Sequence, residues 1–540
     1  MNSLPENWNH HQSFNNQKMK SHLKTKLRSA VFFALMCITA YPQMPSKEID
    51  ELAHYALETF GIAGASIGIV KDGKVIHLKG YGVKSVNTKV PVTGATPFAI
   101  ASLGKAFTTT ALAILVEEGK ISWDDNVIKH IPEFKMYDPY VTENFTIKDL
   151  LTHRSGLGMG VGDLMGYPSG SDFTIVDVLG SFQHFEPQSP FRTKFDYDNL
   201  LYWVAGEVIA RVTHSSWERF VEKSIFKPLQ LENTYSRLDN IKDLDQVATP
   251  HLRESNGIRT IDHFRENVNG AAGGIFSSAK DMCEWMLLHL NKGKYGQNLE
   301  KQLFSPESQY EMWKIHTVMD ASKDPRYNSH FLGYGLGWFV SDVRGQLSLV
   351  HTGGGPGIMT KIWLLPELDL GIIILTNTSE SGGAFFSSVS KTIVDSYLGL
   401  DSKNWIEVYN KRFQQRQQQG DLFTSEVWKV IETNTNVQLS LDDYIGIYKD
   451  RWFGKIEIYI NNGQLWFKSY RSPKLVGPMY HYKANTFAIK WEDRDLQADA
   501  FASFFLDEEG LATEIRMKGI SPNMDFSYDF QDLLLIRTKD

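Results

Sequence analysis

Ser102 and Lys105 stand three residues apart at the head of an apolar stretch. A serine hydroxyl is a poor nucleophile until a neighbour takes its proton, and a lysine amine can do so once partial desolvation lowers its pKa. Residues three apart on a helix share a face, so the amine can reach the hydroxyl. A serine near a helix N-terminus also has free backbone N–H groups and the positive dipole end close by, which suit a developing oxyanion. Ser-x-x-Lys recurs by chance in chains of this size, so the chemistry needs partners from elsewhere.

Two other stretches offer them. Tyr197-Asp198-Asn199 precedes a helical pattern running from Leu200 to Val212. Asp198 or Asn199 can cap that helix, which alone would explain the tripeptide. The same turn could aim Tyr197 at Lys105 as a proton conduit and Asn199 at a substrate amide oxygen. Further on, Gln346 to Thr352 reads as a strand ending at His351 and Thr352. Gly353, Gly354 and Gly355 then allow something to pass close to the backbone.

Other candidates carry less. Gly64-Ala65-Ser66-Ile67-Gly68 matches a nucleophile elbow, but that motif needs strand, sharp turn and helix. Here more strand follows, so Ser66 reads as a sheet residue. Gly156, Gly158, Gly160 and Gly162 follow no strand and open no convincing helix, which argues for a mobile loop bordering a cleft rather than a phosphate cradle. His153 has no metal partner at helical spacing and reads as structural.

The elements that must position these groups follow from periodicity. Phe107, Thr110, Ala111, Ile114 and Leu115 step by three and four, with Gly119 as a stop, and Leu112, Ala113 and Val116 leave little of this helix to face water. Residues 64–82 form a hairpin turning at Asp72–Gly73, and 360–376 a second one turning at Pro366–Asp369. Gly270, Gly273 and Gly274 make a turn before a helix capped at Ser277–Ser278, and Ser387 to Leu398 closes as a helix. The sheet therefore takes strands from both ends of the domain, around a mostly helical insertion at about 120–340. Residues 401–437 are a polar connector. From 438 the pattern turns to short strands, with hairpins at Asn461–Gly463 and Glu508–Gly510: a small β-barrel with no catalytic cluster.

The chain has 540 residues, 42% apolar and 12% aromatic, enough to bury large cores. A net charge of -7 gives no support for nucleic acid binding. Only Cys37 and Cys283 occur, which leaves no internal disulfide once a leader is removed and excludes a structural Cys/His zinc site. Cys283, among Met282, Trp285 and Met286, reads as core. Lys20, Lys24, Lys26 and Arg28 precede a short apolar run from Ala30 to Ala40, the layout of a secretory signal over 19–41. Residues 1–18 then read as an upstream over-extension, with cleavage near Ala40. The expected location is periplasmic or secreted, without a stable membrane span; an uncleaved anchor is the alternative.

Taken together, Ser102–Lys105, Tyr197–Asn199 and His351–Gly353 resemble the serine β-lactamase and penicillin-binding protein superfamily. Order and spacing are most similar to its class C-like branch, which includes D-aminopeptidases, carboxypeptidases and esterases. Leu150 to Leu157 resembles that branch too. The resemblance covers about 46–400, and the region 438–540 resembles the lipocalin-like barrel appended to some relatives. It implies an α+β fold, an antiparallel sheet flanked by helices. It implies Ser102 as acylated nucleophile, Lys105 and Tyr197 sharing general-base work, and Asn199, His351, Thr352 and Gly353 binding substrate. The backbone N–H groups of Ser102 and Gly354 would form the oxyanion hole. No cofactor or metal is implied; the partner is a small-molecule or peptide substrate.

One position departs from the pattern. Class C β-lactamases have lysine where this chain has His351, and a histidine is largely neutral at pH 7. That favours a peptidase or esterase over a dedicated β-lactamase or a carboxypeptidase. A penicillin-binding sensor that acylates with little turnover, and a true β-lactamase, are the alternatives.

Overall fold

The computed structural model describes residues 44–254, 257–433 and 440–539. The expected upstream extension, the signal segment with Cys37, and the junction at 434–439 lie outside the described residues.

The first strands form the expected hairpin, β1 (Gly64–Lys71) and β2 (Lys74–Gly82). They join β3 (Thr317–Met319), β4 (Leu332–Tyr334), β5 (Phe339–Val343), β6 (Gln346–Gly355), β7 (Ile358–Leu365) and β8 (Leu370–Thr376). The order is β2-β1-β8-β7-β6-β5-β4-β3, and each neighbouring pair is antiparallel. Strands from both ends of the region thus meet at β1 and β8. β8 is buried along its whole length because helices cover both faces of the sheet. On one face Ala65, Ile67, Ile69, Ile372 and Ile374 pack with α1 (Ser46–Phe60) and α5 (Ser381–Tyr397). On the other, Ile373 and Leu375 pack with Met282, Cys283 and Trp285 of α4 (Ala279–Leu290).

α2 (Gly104–Glu117) is buried from Gly104 through Ala113, as its all-round apolar sequence requires. α3 (Leu200–Thr213) packs beside it within the insertion. Ser66 lies in β1, buried, with its hydroxyl donating to the Thr93 carbonyl at 3.3 Å, so it is a sheet residue. β6 runs on through the glycines to Gly355 instead of ending at Thr352, because Gly353 and Gly354 pair in register with Thr360 and Met359.

The described part of the connector holds one helix, α6 (Trp405–Thr433). Beyond it, β9 (Gly446–Asp450), β10 (Gly454–Asn461), β11 (Gln464–Ser469), β12 (Val476–Lys483), β13 (Thr486–Ile489), β14 (Ala500–Leu506), β15 (Ala512–Gly519) and β16 (Leu534–Arg537) close into an antiparallel barrel. Tyr448, Ile456, Phe467 and Ile515 are all essentially inaccessible, part of a continuous packed core. The barrel is tied to the helical insertion. Phe453 packs on Phe173 with ring centres 5.6 Å apart, and Arg471 bonds Asp172 at 2.6 Å and Asp177 at 2.7 Å. Among the described residues no helix is long and apolar enough to cross a membrane.

Candidate active site

Ser102 sits on a single 3-10 turn, Ala101–Leu103, that runs directly into α2. Ala101 holds φ at 46°, a left-handed value that costs a non-glycine residue energy and tends to persist where surrounding structure enforces it. β6 is part of that enforcement. A Cβ on Gly353 would lie 2.2 Å from the Ile100 carbonyl oxygen, so only glycine lets the strand run this close to the serine turn. Thr360, opposite Gly353 on β7, donates its hydroxyl to the same carbonyl at 3.0 Å.

The Lys105 amine, fully buried, lies 3.0 Å from Ser102 Oγ, 2.7 Å from Asn199 Oδ1 and 2.9 Å from the Ala272 carbonyl oxygen. Burial pulls its pKa down to about 7, against the opposing pull of Asp163, Glu266 and Asp198. Asn199 Oδ1 and the Ala272 carbonyl can only accept, so each takes an N–H. A neutral amine has two, and its lone pair is then left facing the Ser102 hydroxyl.

The Tyr197 ring lies under that amine, 4.8 Å from its nitrogen, and stacks on His153 with centres 4.2 Å apart. Burial pushes the phenol well above its ordinary pKa, opposed by a hydrogen bond with Ser102. The phenol is therefore neutral, and of the two candidate bases the amine is the one whose pKa moves towards neutrality.

Asn199 is held at both ends of its amide. Oδ1 accepts from Lys105 and Nδ2 donates to Asp163 Oδ2 at 2.8 Å, which uses one of the two N–H groups and orients the side chain. The side chain still lines the cavity. The helix cap beside it comes from Asp198, whose carboxylate accepts from the Leu201 N–H at 3.4 Å. His153 is structural: its Nδ1 accepts from the Asp198 N–H at 3.1 Å.

His351 is 1% exposed and faces inward. Its Nδ1 lies 2.7 Å from the Thr352 carbonyl, which can only accept, so that nitrogen carries the proton. Nε2 then accepts from the Tyr334 hydroxyl at 3.0 Å. Burial pulls the imidazole pKa down to about 3, with the Lys105 charge adding to the effect. It is a neutral, hydrogen-bonded strut. Thr352 is exposed at the strand edge, and Gly354 lines the same cavity as Ser102, a space of about 790 Å³ counting its open mouth.

Four residues that sequence reasoning missed complete the site. Asp163 is buried, accepts from Asn199 and from the Ser527 hydroxyl at 2.9 Å, and is pushed up to about 7 chiefly by burial. Its place directly after the glycine run was the one available signal. Ser527 and Phe526 belong to the barrel, which was expected to hold nothing of the site. The Phe526 ring meets Tyr197 edge-on at 5.8 Å. The glycine run is correspondingly no open flap: the Gly162 and Leu164 N–H groups donate to Asp529 of the barrel at 2.6 and 2.8 Å. Glu266 lines the cavity as well. Among the described residues no cluster of ligands suits a metal ion.

Residues 49–387 match the Beta-lactamase family model, and residues 432–537 match a domain of unknown function, DUF3471. Protein flp of Staphylococcus aureus (strain NCTC 8325 / PS 47) is 29% identical over 338 residues, 62% of this chain and 63% of that protein. The chain thus spans less than two thirds of that relative. Unguisins hydrolase ungD' of Aspergillus campestris (strain IBT 28561) is 26% identical over 383 residues, 67% of this chain and 68% of that protein. The octameric penicillin-binding protein homologue from Pyrococcus abyssi superposes with a TM-score of 0.57 at 21% identity, covering 92% of this chain and all of the other, and so shares the fold. With well over half of its length matching the family model, the chain belongs to the Beta-lactamase family.

Proposed function

We propose that this chain is an exported serine hydrolase that cleaves amide or ester bonds through an acyl-enzyme on Ser102. The observation that carries the reading is the Lys105 amine, desolvated to a pKa of about 7 and 3.0 Å from the Ser102 hydroxyl.

In the first half-reaction the neutral Lys105 amine takes the Oγ proton as Oγ attacks the substrate carbonyl. Charge gathers on the carbonyl oxygen, held by the backbone N–H groups of Ser102 and Gly354. The C–N or C–O bond then breaks, and the proton passes from Lys105, by way of the Tyr197 phenol, to the leaving group. In the second half-reaction water attacks the Ser102 ester with Lys105 again accepting a proton, which releases the acid and restores the hydroxyl. A positioned general base is typically worth about 10²–10⁴ in rate and an oxyanion donor about 10²–10³.

The neutral, bonded state of His351 supports a peptidase or esterase. A substrate whose binding depends on a cation facing its carboxylate finds no charge at that position. Thr352 and Gly353 would border the substrate along β6. Asn199 acts in this reading by holding Lys105 in place. The basic, apolar segment 19–41 supports export, testable by the N-terminal sequence of the mature protein.

The test is hydrolysis of D-amino-acid amides, short-chain esters and nitrocefin by wild type and Ser102→Ala. A loss of at least about a thousandfold in the variant is expected; full activity in Ser102→Ala would sink the proposal. An adduct on Ser102 lasting hours instead of seconds would identify a sensor and not a hydrolase.

A further inference from the structure

The cavity in front of Ser102 contains a carboxylate that the reaction above does not use. Glu266 lines it together with Ser102, Tyr167 and Phe264. Its side chain lies along the glycine turn, where a Cβ on Gly274 would be 3.1 Å from Glu266 Cγ. That turn is the one whose Ala272 carbonyl holds Lys105 at 2.9 Å and whose Gly273 packs on Ala101. Glu266 Cγ thus lies beside Gly274, two residues along the turn from the Ala272 carbonyl that fixes the amine, and its side chain shares one cavity with Ser102.

Among the described residues nothing hydrogen-bonds this carboxylate. The nearby Arg237 donates to the Glu266 backbone carbonyl instead, at 3.5 Å, and pairs with Asp239 at 3.2 Å; Arg265 pairs with Asp239 as well. A half-buried carboxylate that lines a cavity without a hydrogen-bond partner is short of a counter-charge, and an arriving cation supplies one. The neighbouring walls are ring faces, with Tyr167 and Phe264 stacked at 4.7 Å, and such faces favour a cation with an apolar body.

We propose that Glu266 is the specificity-determining residue of the Ser102 site, an anionic anchor that selects esters and amides whose acyl part carries a protonated amine. This rests on the serine-hydrolase reading and names its substrate class. Burial pushes the Glu266 carboxyl up to about 7, with Asp163 and Glu218 adding to the effect and Lys105 and Arg237 opposing it. A docked ammonium supplies the missing counter-charge and keeps the group ionised.

The experiment compares alanine p-nitroanilide, in both enantiomers, with propionyl p-nitroanilide, which differs by the amine alone. Wild type, Glu266→Gln and Ser102→Ala are used, and labelling of Ser102 by a neutral fluorophosphonate reports that each active site is folded. Wild type is expected to favour one amine-bearing substrate by roughly ten- to a hundredfold in kcat/KM, the range of a hydrogen bond to a charged partner. Glu266→Gln, still labelled at Ser102, should bring that ratio close to one. An unchanged ratio in labelled Glu266→Gln overturns the proposal, as does a wild-type preference for the propionyl compound or for its succinyl analogue, which would put Arg237 in charge. Hydrolysis persisting in Ser102→Ala counts against the nucleophile instead, so the two readings fail separately.

Discussion

The Ser527 hydroxyl of the barrel donates to Asp163 Oδ2 at 2.9 Å, and Asp163 in turn accepts from the Asn199 amide that holds Lys105. The C-terminal barrel is therefore two hydrogen-bonded side chains away from the amine beside Ser102. This contact lowers the Asp163 pKa, and the Asp163 charge raises that of Lys105.

Ser527→Ala should therefore move the rising limb of the rate profile to lower pH. Without the hydroxyl, Asp163 holds its proton more tightly and carries less negative charge near neutrality. Lys105 then loses its proton at lower pH. The buried carboxylate left short of a partner should also cost about 1–3 kcal/mol of stability. A pH series of kcat/KM and a urea melt check both; a limb moving to higher pH contradicts the coupling.

Gly353→Ala should fold and yet lose at least about a hundredfold in activity, the scale of a misplacement near 1 Å. Its Cβ would meet the Ile100 carbonyl at 2.2 Å and displace the turn that carries Ser102. Circular dichroism and Ser102 labelling separate the two effects.

His351 should matter to stability at acid pH. Its folded pKa of about 3 lies below the ordinary histidine value of 6.5. The unfolded chain therefore takes up a proton that the folded ring refuses, and stability falls as pH drops from 6.5 towards 3. His351→Leu should flatten part of that fall while costing about 1–3 kcal/mol at pH 7, since the Tyr334 hydroxyl loses its partner. Thermal melts across pH 4 to 8 measure it, in buffers spaced by about one pH unit.

Removing residues 438–540 should leave a fragment that aggregates and does not label at Ser102. The cut bares Phe173 and Phe185, which pack on Phe453 and Trp452, and strips Asp529 from the Gly162 and Leu164 amides. A soluble, labelled fragment would show that the barrel is dispensable to the site.

The sheet, its buried central helix and the Ser102–Lys105 pair were legible because each is written locally: a three-residue spacing, a helical period, two hairpins with clear turns. Tyr197 was legible through a motif fixed by the start of α3. The roles of Asn199 and His351 were not, because a side chain's free valence depends on what it meets. Asn199 meets Lys105 and Asp163, and His351 meets Tyr334. Ser527 was out of reach for a simpler reason: it contacts Asp163 across 364 residues of chain, with no periodicity or spacing to mark it. Glu266 belongs to no motif and acquires its meaning only from the cavity around it.

The central claim is that the Lys105 amine, neutral near pH 7, activates the Ser102 hydroxyl. The rate at which a neutral fluorophosphonate labels Ser102, followed by peptide mapping from acid to alkaline pH, tests it most directly. Labelling should rise through a single limb near pH 7, matching the amine pKa, and collapse in Lys105→Met at every pH. Labelling that is independent of pH, or that proceeds at the wild-type rate in Lys105→Met, would contradict it.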